Sequence, residues 1–154
     1  MSAYFFDSSA LVKRFARETG TAWVFKLLRP SAANTIYIAR VTSVEVAAAL
    51  VRRARGGSLT PADLAKAILR FERSLRDRYA FVEVREALAA SARLLTQKHY
   101  LRGYDAVQLA AALNVHNRRQ NLGLSPLTLV SADNELNSAA QAEGLLVDNP
   151  NNHP

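Results

Sequence analysis

Short apolar runs alternate along this chain with longer segments of helical periodicity, and nothing else in the sequence constrains the fold as much. Residues 4–6, 36–39, 81–84, 127–130 and 145–147 are brief and apolar enough to be strands buried on both faces. Between them lie helical patterns. Leu11 and Phe15, then Trp23 and Leu27, mark a first pair of helices. Val44, Ala48 and Val51 fall on one face of the next, and Leu64, Ile68, Phe71 and Leu75 follow Thr60-Pro61, an N-cap with proline at the first helical position. Leu88, Ala92 and Leu95 mark another helix, and Ala106, Leu109, Ala110 and Leu113 one more. Strands interleaved with helices predict the α/β class: a three-layer α/β/α sandwich with a central, mostly parallel sheet.

The 154 residues fit one domain over 1–148, followed by a polar tail over 149–154 that is expected to fray. Gly56-Gly57-Ser58 and Gly123-Leu124-Ser125-Pro126 are the clear breaks, and residues 59–79 read as an inserted helical arm. The chain has no cysteine, which excludes disulfides, thiolate nucleophiles and cysteine-held zinc. The first residues lack a basic segment ahead of a signal-length apolar run, and no stretch is apolar enough to span a bilayer. A soluble, cytoplasmic protein is expected. Twenty Lys and Arg against thirteen Asp and Glu give a net charge of +7, the sign that attracts nucleic acid.

In an open parallel sheet, ligands bind beyond the carboxyl ends of the strands. Asp7 directly follows the first strand, Glu45 falls in the expected first turn of the helix after the second, and Asp133 follows the 127–130 strand. Asp105 opens the helix after Leu101-Arg102-Gly103-Tyr104 and joins them if that helix starts at the same edge. Each acid also has a purely structural reading. Asp7 suits an N-cap, Thr42-Ser43-Val44-Glu45 has the spacing of a capping box, and Asp105 and Asp133 suit helix N-termini. Together they suggest more. Packed carboxylates repel one another, and a divalent cation relieves the repulsion; an all-oxygen set suits Mg2+ or Mn2+. Such ions promote attack of water on phosphodiesters.

These residues resemble a known family. Tyr4-Phe5-Phe6-Asp7-Ser8-Ser9-Ala10-Leu11-Val12-Lys13 is similar to the opening of PIN domains, in particular the VapC-type toxins of toxin–antitoxin pairs. The resemblance continues in Thr42-Ser43-Val44-Glu45-Val46-Ala47-Ala48-Ala49-Leu50, in residues 101–112 around Tyr104-Asp105-Ala106, and in Leu129-Val130-Ser131-Ala132-Asp133-Asn134-Glu135-Leu136. It implies a PIN-like sandwich and Mg2+- or Mn2+-dependent endoribonuclease activity, with Asp7 and Asp105 as principal metal ligands and Glu45 and Asp133 completing the pocket. Ser9, Ser131 and Arg102 are the implied substrate contacts. The resemblance also implies a homodimer and a small VapB-like antitoxin protein. The expected reaction is in-line attack of water on an RNA phosphodiester, leaving a 5′-phosphate and a 3′-hydroxyl.

Two other readings stay open: a non-catalytic RNA-binding or regulatory domain of the same fold, and a haloacid-dehalogenase-like phosphatase. The latter wants a second Asp two residues after the first, where this chain has Ser9. Lys66, Arg70 and Arg73 form a basic stripe on the arm that suits RNA or solvent equally. His99, His116 and His153, at expected helix ends or in the tail, lack metal-ligand spacing, and Trp23, Phe25 and Phe71 read as core.

Overall fold

The computed structural model describes residues 1–154. Strand β1 (Ala3–Phe6) runs into helix α1 (Ser8–Leu11), a 3-10 turn at Val12–Arg14, and helix α2 (Thr21–Leu28). Strand β2 (Thr35–Ala39), helices α3 (Arg40–Arg55) and α4 (Pro61–Asp77), and strand β3 (Ala80–Val82) follow. Helices α5 (Glu86–His99) and α6 (Gly103–Asn121), strand β4 (Leu127–Val130), helix α7 (Asn134–Ala142) and strand β5 (Leu146–Asp148) complete the chain. The strands form one five-stranded sheet in the order β3-β2-β1-β4-β5. Every pairing is parallel, with Phe5 opposite Tyr37 on one side and Leu129 on the other. Strand bounds differ from the sequence reading by one or two residues at β1, β2, β3 and β5.

Alternation along the strands divides the core in two. Phe5, Leu127 and Leu129 pack with Leu88, Leu109 and Leu136 from α5, α6 and α7. Phe6, Ile36, Ile38 and Val130 point the other way, onto Leu11, Val24, Val46, Leu50 and Phe71 from α1 to α4. This is the expected three-layer sandwich. Helix α4 starts as read, with Thr60 Oγ1 accepting from the Asp63 amide at 3.1 Å and Pro61 in the first turn. Its Ala67 and Phe71 are buried, and Phe71 meets the Phe15 ring edge-on at 5.0 Å, so the 59–79 segment is a packed part of one layer.

Several expectations need correction. Helix α3 buries Thr42, Val46 and Leu50, and the face carrying Val44, Ala48 and Val51 is exposed. It begins at Arg40, so Glu45 lies in its second turn and Thr42-Ser43-Val44-Glu45 is no capping box. Phe25 is an exposed ring beneath the Arg14 guanidinium, not core. His116 is buried within α6. The tail does not fray. Pro150 is buried, the side-chain oxygen of Asn151 accepts from Lys13 Nζ at 2.9 Å, and His153 stacks on Trp23 at 4.2 Å. No helix is long and apolar enough to cross a membrane.

Candidate active site

Strand β1 has β2 on one side and β4 on the other, so the chain's direction of travel across the sheet reverses between β1 and β4. Loops leaving the carboxyl ends of two such strands diverge and open a crevice. Asp7 leaves β1 at that point, and its amide extends the ladder to Val130 O at 3.2 Å. Asp133 follows β4 and caps α7 through Leu136 N, at 3.0 Å. Glu45 reaches the crevice from α3 and Asp105 from the first turn of α6.

Asp7 is buried at the inner end, and its hydrogen bonds dictate its orientation. Ser9 Oγ lies 2.8 and 2.9 Å from its two carboxylate oxygens, Ser131 Oγ is 2.8 Å from Oδ2, and the Ala10 amide is 3.0 Å from Oδ1. Both hydroxyls also accept a backbone N–H from the loop after β4: Ala132 N to Ser9 at 2.9 Å and Asp133 N to Ser131 at 3.0 Å. With those lone pairs engaged, each serine turns its proton toward Asp7. Three donors leave the carboxylate about one of its roughly four acceptor positions free. Burial pushes Asp7 up to about 6; the Ser131, Ser9 and Ala10 hydrogen bonds oppose that shift, and the Glu45 charge adds to it.

Glu45, Asp105 and Asp133 line a single open hollow of about 620 Å³, with Arg102 and Tyr104 on its wall. Burial raises Glu45 above the ordinary carboxylate range, against a hydrogen bond from Gln108, and the Asp105 charge raises it further. Burial also raises Asp105; the Asp133 charge adds to the shift and Arg102 works against it. Repulsion therefore links the acids in series, Asp7 to Glu45, Glu45 to Asp105, Asp105 to Asp133. The sequence reading missed Gln108. Buried on α6 one turn after Asp105, it donates from Nε2 to Glu45 at 2.7 Å and to Thr42 at 2.9 Å. Asn137 was missed as well; its Nδ2 donates to Ser131 O at 2.9 Å. A polar residue on an otherwise apolar helix face was the available signal for both.

A divalent cation suits this donor set in one way and not in another. The oxygens are hard, the charges repel one another, and Asp7 keeps a free acceptor position. Yet no three acidic or histidine side chains stand close enough to cage an ion by themselves. The arrangement fits an ion held by one or two carboxylates with water in its remaining positions, which is the habit of Mg2+.

The PIN domain profile matches residues 4–142, which takes in all four acids. The chain belongs to the PIN domain family. Within it, this PIN domain is similar to Ribonuclease VapC45 of Mycobacterium tuberculosis (strain CDC 1551 / Oshkosh), with 35% identity over 150 residues, 96% of this chain and 95% of the relative. Its fold matches that of VapC20 from Mycobacterium tuberculosis, described as a sarcin–ricin loop cleaving toxin. That match has a TM-score of 0.61 at 14% identity and covers 93% of this chain and 96% of the other. A toxin–antitoxin complex from Klebsiella pneumoniae matches with a TM-score of 0.58 at 18% identity, over 96% and 97% of the two chains. At such identities, the two structures speak for the fold alone.

Proposed function

We propose that this PIN domain is a Mg2+- or Mn2+-dependent endoribonuclease, the toxin of a toxin–antitoxin pair that acts in the cytoplasm. One observation carries the reading: Glu45, Asp105 and Asp133 share one hollow at the carboxyl edge of the sheet, with Asp7 buried and charge-coupled to Glu45. The 35% identity to a ribonuclease across nearly the whole chain supports RNA as the substrate, as does the +7 charge.

Asp7 and Asp105 would hold the ion, with Glu45 and Asp133 completing the set directly or through water. Bound there, the cation would supply positive charge to the phosphodiester and lower the pKa of water. The chain's own residues do the remaining work. Ser9 and Ser131 keep Asp7 ionised and fixed by aiming their protons at it. Gln108 fixes Glu45 in the same way. Arg102, on the wall of the hollow, is placed to orient a phosphate oxygen for in-line attack by water. The partners in this reading are RNA, a second copy of the chain and a small VapB-like antitoxin, the last in keeping with the likeness to a toxin–antitoxin complex.

The test is cleavage of labelled RNA by the wild type, Asp7→Asn and Asp105→Asn, with Mg2+, with Mn2+ and with EDTA. The expected result is metal-dependent cutting that both substitutions reduce by at least about a hundredfold while circular dichroism stays unchanged. Undiminished cutting by either variant would remove that acid from the mechanism.

A further inference from the structure

A second hollow, of about 710 Å³, adjoins the acid cleft and shares Glu45 and Tyr104 with it. Its volume falls within the roughly 300–1,000 Å³ of small-molecule sites. Its surface is mixed. Val41, Val44 and Ala48 give it an apolar floor, and Arg52 and Arg53 stand on its far wall. Two of the lining side chains stand open to solvent. Val44 is 67% exposed although it is aliphatic, and Tyr104 is 63% exposed and belongs to neither core. The two arginines differ. Arg53 is committed to Glu18, whose other oxygen holds the buried Lys13 at 3.0 Å, whereas Arg52 is exposed.

We propose that this hollow is a nucleotide subsite, in which Tyr104 stacks on the base of an RNA residue beside the scissile phosphate and Arg52 takes a neighbouring phosphate. The proposal rests on the ribonuclease reading and deepens it by assigning the residues that hold the nucleotide next to the scissile phosphate. An aromatic face next to an apolar floor accommodates a base without hydrogen-bond readout, and a guanidinium pairs with phosphate. The ring lines both hollows, whereas the apolar floor and Arg52 line the second alone, so a base stacked on Tyr104 would adjoin a phosphate held at the carboxylates. The Lys13–Glu18–Arg53 chain of charges holds the far wall in place.

Tyr104 and Arg52 are both exposed, so their replacement leaves the cores untouched. Binding of a short fluorescent oligoribonucleotide in EDTA is measured by anisotropy for the wild type, Tyr104→Ala, Tyr104→Phe and Arg52→Gln. Steady-state cleavage of the same oligoribonucleotide is then followed with Mg2+. Tyr104→Ala is expected to weaken binding about tenfold and to raise KM by a similar factor with kcat nearly unchanged, while Tyr104→Phe restores both. Arg52→Gln lowers the slope of log affinity against log salt by about 0.7. Wild-type affinity in Tyr104→Ala would overturn the proposal, as would a Tyr104→Phe variant as weak as the alanine one. A hollow that serves a protein segment would show itself in that first way. If the wild type cuts no RNA yet its binding depends on Tyr104 and Arg52 as described, the subsite stands and the nuclease reading falls.

Discussion

A carboxylate buried at the inner end of a cleft trades stability for chemistry, and the sign of that trade at Asp7 can be worked out. Its folded value of about 6 lies above its ordinary value of 3.8. Between the two, the folded chain binds more protons than the unfolded one, so stability falls as pH rises through that window and stays lower above it. The difference corresponds to roughly 3 kcal/mol. Asp7→Asn keeps the shape and removes the charge, and so is expected to raise the melting temperature at neutral pH in EDTA, with the gain vanishing below about pH 4. A melting temperature that drops at neutral pH would show that the serine hydrogen bonds outweigh the burial cost. Gln108 gives the opposite case. Gln108→Leu leaves Glu45 and Thr42 without their partner, at a cost of about 1–3 kcal/mol in urea unfolding. Activity is expected to fall by more than that loss of stability explains, because Glu45 loses its orientation. Unchanged cleavage at unchanged stability would remove Gln108 from the site.

At the scale of elements, the tail is a clasp. Gly20 has φ of +84, and a Cβ there would stand 2.3 Å from Pro150 O. Gly20→Ala meets both backbone strain and a steric clash, and is expected to cost about 1–3 kcal/mol and to free residues 150–153 to proteolysis. An intact tail and unaltered unfolding midpoint would contradict the clasp. Such docking was invisible in the sequence because polar and prolyl residues make it, with partners at the other end of the chain. The strands were legible, since runs buried on both faces have no polar positions to blur them. Helix α3 was not. Val44, Ala48 and Val51 repeat as well as Thr42, Val46 and Leu50, yet they face outward, Val44 and Ala48 into a hollow and Val51 to solvent. Thr42 sits in the true buried face because Gln108 satisfies its hydroxyl, at 2.9 Å. Asp7 was legible as an acid that directly follows a strand, and Asp133 as one three residues beyond a strand. Gln108 carried only a weak signal, a lone polar residue among apolar ones, because a single sequence does not say which face of a helix such a residue occupies.

Across the whole molecule, the sheet order decides where chemistry is possible. With β1 between β2 and β4, the loops carrying Asp7 and Asp133 diverge at the one reversal in strand order, and α3 and α6 bring Glu45 and Asp105 to the same edge from opposite layers. A chain of net charge +7 gathers four of its thirteen acids there. Mutual repulsion among them is the cost a cation would relieve, so the acids should act together and not singly. Calorimetric titration of Mn2+ into the metal-free protein tests this most directly, with the wild type, Asp7→Asn and Asp105→Asn compared at neutral pH. The expected result is saturable binding by the wild type that either substitution weakens by at least about tenfold. Equal Mn2+ binding by the wild type and Asp105→Asn, or no binding by any of them, would contradict a shared metal centre.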